Sequence, residues 1–581
     1  MEKIPVKKKI ILRKVENRAT DLSHLDPLLQ RIFTARGITS VNALDRNLAK
    51  LPSPWLLSGM EAMVSHLITA LKNQQKIVIV ADFDADGATS CAVAIRGLYL
   101  LGATNLNFVV PNRFKYGYGL TPEIVDLVKA RNEDVDVIVT VDNGISSHEG
   151  VKAAKALGIK VLVTDHHLPA NELPVADAIV NPNVVDDKFP SKNIAGVGVI
   201  FYVLMALRAR LRELDYFINF PEPNLAQLLD FVALGTVADV VQLDEVNRIL
   251  VHQGLLRMRS GHAHTGLKSL MLVAKRDPKN LTPADLGFAL GPRLNAVGRM
   301  DDMSLGIQGF LTDDPQLAYA IMQQLDQFNQ QRKEVEAEMK QQATLLLDVM
   351  RPNDKHRLMS GICLYDEAWH QGVIGILASR IKESEHRPVI AFAPADEGEM
   401  KGSARSIEGV HIRDVLADIA TEHPALLSKF GGHAMAAGLS IKTHDYPAFA
   451  LAFDERVGKS LHGMNLQQKI YSDGELSAKY LTLEFAESLQ TVATWGQGFP
   501  EPVFHGLFDV IQCRIVGGNH LKLVLRQPSE DVFIDGIAFF VERAENWLGI
   551  RQIKAAYKLD INEYRGQRTL QLKVDYLEKI H

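Results

Sequence analysis

The stretch KIVIVADFDADG, residues 76–87, decides the fold class of this sequence. Its first half is a β-branched apolar run, which is typical of a buried strand. Its second half carries Asp82, Asp84 and Asp86, and residues 87–101 then have the composition of a helix. A short apolar strand that leads through a polar turn into a helix is the repeating unit of an open α/β sheet.

The same unit recurs along the next hundred residues. Further strands are predicted at residues 105–110, 135–142, 160–165 and 178–181, and helices at 121–131, 147–157, 196–211 and 225–240. A helix is also predicted before the first strand, at 59–71. Strands that alternate with helices favour a mostly parallel sheet.

The rest of the chain predicts three more parts. Residues 316–351 contain neither Gly nor Pro and predict one long connecting helix. A second α/β lobe follows, with strands at 356–365 and 388–392 and a helix at 373–382. Alternating strands at 504–516, 520–525, 532–540, 558–564 and 568–574 predict a small β-barrel of the OB type, with a hairpin turn at 565–567. The expected domains are an N-terminal appendage (1–60), a catalytic domain (61–312), the helix (313–352), a phosphate-binding domain (353–460) and the barrel (461–581).

Composition excludes several classes of protein. Of 581 residues, 47% are hydrophobic and 23% charged, with a net charge of −5, which argues against a disordered tail, a collagen-like rod or a coiled coil. Cys91, Cys363 and Cys513 are too far apart for a metal knuckle or a disulfide framework. Residues 1–14 are basic without an apolar core, and no apolar run is long enough to cross a bilayer, so we expect no secretory signal and a cytoplasmic protein.

Acidic and imidazole side chains follow three of the predicted strands. The first strand ends in the three aspartates, the next two in Asp142-Asn143-Gly144 and Asp165-His166-His167. Ligands of open α/β sheets bind outside the carboxyl ends of the strands, so these groups should meet at one edge. Carboxylates and imidazole suit Mg, Mn or Zn, and so many carboxylates could not all ionise without cations. The pattern predicts two metal ions, an arrangement used for phosphoester hydrolysis.

Other interpretations of the acidic stretch are weaker. An acidic surface turn explains the three aspartates but not the paired histidines. An EF-hand needs a bidentate Glu at the twelfth position from Asp82, where Val93 stands. A haloacid-dehalogenase-type phosphatase needs Thr or Val two residues after its second Asp, and Asp86 occupies that place.

The order DFDADG, VDNG, TDHH and GTVAD, ending at Asp239, resembles the four motifs of the DHH phosphoesterase family. GGHAMAAG at residues 431–438 is similar to the glycine-rich signature of the DHH-associated domain. The resemblance runs from about residue 60 through the barrel. RFKYGYG at 113–119 and GPRLN at 291–295 are most similar to the branch that degrades single-stranded DNA.

This resemblance implies roles for particular residues. The matching metal ligands are Asp84, Asp86, Asp142, His166 and Asp239. Asp142 is the expected bridging carboxylate, and His167 is expected to face the scissile phosphate, with Asp82 and Asp165 in supporting catalytic roles. Pyrophosphatase-like members have a His where Val80 stands, which favours the nuclease branch and leaves the first metal one ligand short.

Substrate contacts are expected from both lobes, and they comprise Arg113, Tyr116, Tyr118, Arg293, Arg405, Gly431, Gly432 and His433. The glycines would let backbone N–H groups approach a phosphate at a helix start, and Arg405 would add a fixed cation. The alternatives are close-packing glycines, a plain surface loop at 113–119, and scaffold ion pairs at Arg293 and Arg299. His370-Gln371-Gly372 is either an anion-facing helix start or an ordinary cap.

The resemblance implies a metal-dependent 5′→3′ exonuclease that degrades single-stranded DNA to mononucleotides in repair and recombination, with Mn²⁺ or Mg²⁺ as cofactor. A single-stranded-DNA-binding protein and a helicase are the implied partners, and no membrane is involved. Two other hypotheses remain: a DHH phosphoesterase acting on short oligonucleotides or other small phosphate substrates, and a non-catalytic DHH scaffold.

Overall fold

A computed structural model describes residues 8–15, 21–218, 221–350, 359–395, 398–427, 429–464, 466–528 and 531–580, without the side chains of residues 113 and 114. Residues 1–7 of the basic start, the end of the predicted connecting helix at Arg351 and the first part of the predicted strand 356–365 lie outside these residues. The chain forms two compact units. One comprises residues 8–298, 302–324 and 469–580, and the other comprises 299–301 and 325–468.

The strands are β1 Lys9–Leu12, β2 Ile77–Ala81, β3 Leu106–Val109, β4 Val137–Val141, β5 Lys160–Thr164, β6 Ala178–Val180, β7 Ile362–Tyr365, β8 Val389–Pro394, β9 Glu399–Arg405, β10 Lys429–Gly432, β11 Ala436–Lys442, β12 Lys469–Ser472, β13 Phe504–Val516, β14 His520–Gln527, β15 Val532–Ala538, β16 Gln552–Tyr564 and β17 Gln567–Lys579.

The helices are α1 Pro27–Thr34, α2 Met60–Lys72, α3 Ala85–Leu100, α4 Arg113–Tyr116, α5 Pro122–Arg131, α6 His148–Ala156, α7 Gly196–Glu213, α8 Leu229–Ala238, α9 Glu245–Arg259, α10 Thr265–Val273, α11 Pro283–Asp285, α12 Gly291–Met300, α13 Ser304–Leu311, α14 Pro315–Met350, α15 Ile374–Glu385, α16 Ile412–Glu422, α17 Tyr446–Leu461 and α18 Leu483–Val492.

The first unit contains the predicted parallel sheet. Its strand order is β3-β2-β4-β5-β6, and every neighbouring pair is parallel. All residues of β2 and β4 are buried, because helices cover both faces, which explains their continuous apolar sequences. The prediction of an open parallel α/β sheet is confirmed, and β2, β4 and β5 are adjacent at its centre.

One predicted helix is interrupted. The sequence predicts a helix over 225–240, whereas the structure has a 3-10 turn at Leu225–Leu228 followed by α8. The Oδ1 atom of Asn224 accepts the backbone N–H of Ala226, which caps the turn separately. The interior of α8 is almost entirely buried, so its apolar sequence reflects packing on all sides.

The start of the chain packs on the segment that precedes the barrel. Strand β1 pairs in parallel with β12, and the Phe33 ring of α1 stacks on Trp495 at a centroid distance of 5.9 Å. The buried guanidinium of Arg36 lies 2.8 Å from a carboxylate oxygen of Asp473. Residues more than 400 positions apart therefore stabilise each other here.

The predicted barrel is present in the same unit. Its strands close in the order β13-β14-β15-β17-β16. Strands β16 and β17 are joined by a two-residue turn, Arg565-Gly566, in which both residues have positive φ (52° and 78°). Two consecutive residues of positive φ form the type I′ turn that suits a tight hairpin.

The second unit holds the second α/β lobe. Its sheet has the order β10-β11-β9-β8-β7, in which only the β7–β8 pairing is parallel. Helices α16 and α17 pack on one face through a core that includes Phe392, Phe449 and Phe453. The long predicted helix is α14, and the division between the units falls within it, after Gln324.

Within the described residues, no helix is both long and apolar enough to span a membrane.

Candidate metal centre

The polar groups of the central sheet meet at one edge, as the sequence predicts. Asp82 follows β2, Asp142 follows β4 and Asp165 follows β5, and these three strands are neighbours. Asp142 has a φ of +61°, a left-handed conformation that Asp adopts more readily than most residues. The chain therefore turns sharply at the end of β4, directly at the carboxylate.

Hydrogen bonds fix the acidic loop between β2 and α3. Asp84 caps α3, and its Oδ1 accepts the N–H groups of Asp86 (2.9 Å) and Gly87 (3.1 Å). The Oδ1 atom of Asn295 accepts the N–H of Ala85 at 2.8 Å. A Cβ atom on Gly87 would lie 2.3 Å from the carbonyl oxygen of Asp82, so only glycine permits this close turn.

Asp86 is 1% exposed, and its carboxylate faces the start of α7. Its two oxygens accept the N–H groups of Gly196 (2.7 Å) and Val197 (2.9 Å). Burial, together with the neighbouring charge of Asp84, raises the pKa of Asp86 to about 7. The carboxylate is held in place by backbone donors, and no Lys or Arg of the described residues forms an ion pair with it.

His166 lies at the centre of the acidic cluster. Its Nε2 atom is 3.1 Å from Oδ1 of Asp142, 3.5 Å from Oδ2 of Asp239 and 4.0 Å from Oδ2 of Asp86. The Nδ2 of Asn183 donates to the carbonyl oxygen of His166 and holds the main chain at this point. Asp239 reaches the cluster from the carboxyl end of α8.

The potential ligand atoms form three overlapping groups, in each of which the ligand atoms lie within 4.8 Å of one another. Asp82, Asp84 and Asp142 make the first group, Asp86, His166 and Asp239 the second, and Asp142, His166 and His167 the third. Asp142 belongs to the first group and also touches the second through His166. This is the geometry expected of a bridging carboxylate. The sequence analysis leaves the first metal one ligand short, and Asp82 lies in the group that would bind that metal.

The electrostatics of the cluster fit divalent cations. Burial and the surrounding carboxylates raise the pKa of Asp142 and of Asp239 well above the ordinary range. Buried oxygens of both residues accept no hydrogen bond from the described part of the chain. Carboxylate oxygens are the ligands that suit Mg²⁺ and Mn²⁺, and they make up most of the donors here. The residues present therefore fit two such ions, and the first two groups above would hold them.

His167 is oriented by a buried carboxylate. Its Nδ1 atom lies 2.7 Å from Oδ1 of Asp165, which also accepts the N–H groups of His166 and His167. Burial acts to lower the pKa of His167, but the hydrogen bond to Asp165 together with the charges of Asp165, Asp82 and Asp84 outweighs burial and raises the pKa to about 9. The same interaction lowers the pKa of Asp165 despite its burial.

The loop after β3 contributes one residue to the centre. The Tyr118 hydroxyl donates to the carbonyl oxygen of Asp142 (3.2 Å) and lies 3.0 Å from Nδ1 of His167. Tyr116 instead packs partly against the apolar core beside the sheet. The Arg113 side chain lies outside the described residues. Arg293, on α12, donates to the carbonyl oxygen of Ala289 at 2.6 Å.

The remaining predicted substrate contacts belong to the second unit. The prediction that Gly431 and Gly432 begin a helix is wrong, because they end β10 and pair with Gly438 and Ala437 of β11. His433 is exposed in the connecting turn, and its N–H donates to the carbonyl oxygen of Ala436 at 2.8 Å. The small residues of this segment allow a tight hairpin. A glycine-rich pattern is also typical of a helix start, so the sequence alone does not distinguish the two.

Two basic candidates of the second unit differ in their contacts. The guanidinium of Arg405 donates to Oγ of Ser403 (3.0 Å) and to the carbonyl oxygen of Ala404, and burial lowers its pKa. No described carboxylate forms an ion pair with it. Arg299 donates to the carbonyl oxygen of Gly372 at 3.1 Å. His370 accepts the N–H of Gly372 through Nδ1, which is the geometry of a local cap before α15.

Several supporting residues were not identified from the sequence. Asn295 holds the acidic loop, and Asn143 donates to the carbonyl oxygens of Val80 and Val141, which ties β2 to β4. A Cβ atom on Gly235 would lie 2.9 Å from Oδ1 of Asp86, so the glycine of GTVAD makes room for that carboxylate. The sequence offered a signal for two of these residues, since Asn143 directly follows a strand and Gly235 lies inside a motif. Asn295 is distant in sequence from the loop that it holds, so no local signal indicated its role.

Comparison with known proteins supports the same interpretation. Family models match three parts of the chain: the DHH family N-terminal domain at residues 76–236, the DHHA1 domain at 358–459 and the RecJ OB domain at 472–576.

Full-length relatives agree with the domain models. The single-stranded-DNA-specific exonuclease RecJ of Salmonella typhimurium is 50% identical over 569 residues, covering 97% of this chain and 98% of that protein. RecJ of Haemophilus influenzae is 50% identical and covers 99% of this chain and 100% of its own. The crystal structure of RecJ from Thermus thermophilus in complex with Mn²⁺ superposes with a TM-score of 0.80 at 27% identity, covering 99% of this chain and 79% of that one.

Proposed function

The chain belongs to the RecJ family of single-stranded-DNA-specific exonucleases, and from this premise we propose that it degrades single-stranded DNA to mononucleotides from the 5′ end. The cofactor is Mn²⁺ or Mg²⁺, as in the solved structures of T. thermophilus RecJ. The proposed setting is DNA repair and recombination in the cytoplasm.

One observation carries the proposal. Two groups of potential metal ligands lie at the carboxyl edge of the sheet and are linked by the contact between Asp142 and His166. Bound there, two divalent cations supply Lewis-acid charge and an activated water for phosphodiester hydrolysis. Asp82 and Asp84 would hold one ion, Asp86, His166 and Asp239 would hold the other, and Asp142 would contribute to both.

His166 and His167 have different roles in the proposed reaction. His166 turns its Nε2 toward the ligand carboxylates. His167 faces the scissile phosphate, and Asp165 fixes the ring and keeps a proton on Nδ1, since their atoms lie 2.7 Å apart. A protonated imidazole offers positive charge to the phosphoryl oxygens as their negative charge grows. The Tyr118 hydroxyl limits the movement of the ring from the other side.

Strand binding is assigned to residues around the metal centre and in the second unit. The contacts assigned to the unit that contains the parallel sheet are Arg113, Tyr116, Tyr118 and Arg293. Those assigned to the DHHA1 domain are Arg405, Gly431, Gly432 and His433. Phe288 joins them, because its side chain is 88% exposed in a π-helical turn (Leu286–Leu290) directly before GPRLN. Exposed aromatic rings are stacking platforms for unpaired bases, and the barrel offers a second binding surface.

We also propose that a single-stranded-DNA-binding protein and a helicase act with this enzyme. An enzyme specific for single strands needs duplexes to be opened, and unpaired strands in cells are coated with protein. Co-purification of either partner with the full chain, with and without single-stranded DNA, tests this proposal; an interaction that is absent under both conditions contradicts it.

The function is tested with single-stranded DNA labelled at the 5′ or the 3′ end, in Mn²⁺, Mg²⁺ or EDTA, beside a blunt duplex. We expect immediate release of the 5′ label as mononucleotide, dependent on metal and absent on duplex. Early release of the 3′ label contradicts the polarity. Hydrolysis of dinucleotides without degradation of long strands contradicts the exonuclease assignment.

A further inference from the structure

A polar cavity that is wide open to solvent lies in the unit that contains the parallel sheet. It has a volume of about 550 Å³ and is lined by residues 44–48 together with His252 and Gln253 of α9. This volume is within the range of small-molecule sites, ~300–1,000 Å³. None of the lining residues belongs to the acidic cluster or to the proposed strand contacts.

Positive charge is concentrated at this cavity. Arg46 lies on its wall, and Arg259 follows His252 by seven residues on the same face of α9. The three groups are close enough to repel each other: burial, and then the charges of Arg46 and Arg259, lower the pKa of His252 to about 4. Burial and the charge of Arg259 likewise lower the pKa of Arg46.

Within the described residues, neither Arg46 nor Arg259 forms an ion pair with a carboxylate. Arg46 donates to the carbonyl oxygen of Thr491 (3.0 Å), and Arg259 donates to that of Leu281 (2.8 Å from Nε). Asp45 lines the cavity, but its Oδ1 accepts the N–H of Asn47. The nearest carboxylate to Arg259, Asp285, is ion-paired with Arg276 at 3.0 Å.

The residues that line the cavity favour a ligand that combines an anionic group with a compact apolar part. Arg46 provides permanent charge on the wall, and Arg259 adds positive charge close to it. A guanidinium matches the tetrahedral oxygens of phosphate with paired donors. The Leu44 and Leu48 side chains line the same cavity and offer surface to a base or a sugar. His252 makes no hydrogen bond within the described chain, so its ring is available to a ligand.

We propose that this cavity is a nucleotide-phosphate site, separate from the metal centre, that binds a 5′-mononucleotide or one phosphodiester of a strand through Arg46 and His252, with Arg259 adding positive charge nearby. The two sources share one chemistry, a phosphate ester beside a nucleoside. Occupation of the site neutralises the mutual repulsion of the cations and thereby stabilises the fold around α9.

The test uses the full chain carrying Asp142→Ala, in EDTA, so that neither hydrolysis nor metal binding contributes. Binding of 5′-dAMP, inorganic phosphate, deoxyadenosine and oligo(dT) is measured by calorimetry. We expect 5′-dAMP or oligo(dT) to bind and deoxyadenosine to fail. His252→Glu and Arg46→Gln should weaken binding of that ligand at least tenfold, whereas Arg131→Gln, an exposed arginine on α5, should leave it unchanged.

The outcomes separate the two sources. Binding of 5′-dAMP that is lost in His252→Glu identifies a free nucleotide as the ligand. A loss confined to oligo(dT) identifies a backbone phosphate. Equal binding of every phosphate ligand by the His252→Glu and Arg131→Gln proteins overturns the proposal, and so does failure of any phosphate ligand to bind. The first of these results leaves the exonuclease assignment intact, because oligo(dT) still binds at the strand contacts described above. Failure of oligo(dT) to bind the Asp142→Ala protein would in addition contradict those strand contacts.

A second measurement needs no substitution at the cavity. A neutral imidazole reacts with diethyl pyrocarbonate, and the low pKa of His252 keeps it neutral at pH 6. We expect 5′-dAMP or oligo(dT) to protect His252 from carbethoxylation, as read by mass spectrometry of the full chain, while the exposed His444 reacts equally with and without ligand. Unchanged reaction of His252 at saturating concentrations of both ligands contradicts the proposal.

Discussion

Nε2 of His166 lies 3.1 Å from Oδ1 of Asp142, although the two residues follow different strands of the sheet. This contact joins the two groups of ligand atoms into one centre. Because β4 and β5 are adjacent and parallel, their carboxyl ends bring the residues together without any long loop. The left-handed conformation of Asp142 then turns its carboxylate toward both groups.

Substitution of Asp142 by alanine removes the shared ligand and should lower the rate of strand hydrolysis by ~10³-fold or more. Binding of single-stranded DNA should remain within a few-fold, because the strand contacts lie on other residues. The exposed Asp126 on α5 provides the matched control: Asp126→Asn should leave both quantities unchanged. An Asp142→Ala protein that loses binding and cleavage equally contradicts the assigned role.

Asp165 and His167 should act as one unit. Their 2.7 Å contact orients the imidazole, so Asp165→Asn and His167→Gln should each lower kcat by ~10²–10⁴-fold with little change in KM. The double variant should be no slower than the slower single variant, because each substitution removes the same interaction. Additive losses in the double-mutant cycle would show that the two residues act independently.

Gly431 offers a test of phosphate contact that folding does not confound. A Cβ atom at this position would meet nothing within 4 Å, so Gly431→Ala should leave the free energy of unfolding almost unchanged. If its backbone approaches a phosphate, the methyl group should raise KM for single-stranded DNA several-fold. Its partner across the strands, Gly438, is equally open, and Gly438→Ala should leave KM unaltered. An unchanged KM in Gly431→Ala excludes close approach there.

Phe288 should contribute to strand binding by stacking. Loss of a base–aromatic contact costs ~1–3 kcal/mol, so Phe288→Ala should raise KM about 5- to 150-fold with kcat and thermal stability preserved. Leu272 is also exposed (65%), and Leu272→Ala serves as the control for loss of a surface apolar group. Equal KM values for the two variants contradict the stacking role.

The Arg36–Asp473 ion pair should stabilise the junction between the start of the chain and the barrel segment. Both side chains are 1% exposed, so removal of Arg36 leaves the Asp473 carboxylate buried without this cation. Arg36→Ala should therefore lower the free energy of unfolding by ~3–5 kcal/mol. The exposed pair of Arg210 and Glu61 gives the comparison, and Arg210→Ala should cost less than ~1 kcal/mol. Urea denaturation measures both, and similar losses would contradict the structural role of the buried pair.

Much of the metal centre could be predicted from the sequence because its parts are local. Each acidic or imidazole group directly follows an apolar strand, and the rule that ligands bind at the carboxyl edge then places the groups together. Asp82 was expected only to support the centre. The structure groups it with Asp84 and Asp142, because carboxylate oxygens of the three residues lie within 4.8 Å of one another.

The parts that could not be predicted depend on distant or ambiguous contacts. Asn295 reaches Ala85 across 210 positions, and the aromatic stack of Phe33 on Trp495 spans an even longer separation, so no local pattern reveals either. The hairpin at Gly431 and Gly432 was missed for a different reason. Glycines serve helix starts and tight strand turns alike, and only pairing with β11 decides between them.

Anomalous diffraction from crystals grown with Mn²⁺ tests whether two ions share Asp142. We expect two manganese peaks, both in contact with the Asp142 carboxylate, one beside Asp82 and Asp84 and the other beside Asp86, His166 and Asp239. A single peak at saturating Mn²⁺, or two peaks of which neither contacts Asp142, would contradict the role of Asp142 as the shared ligand.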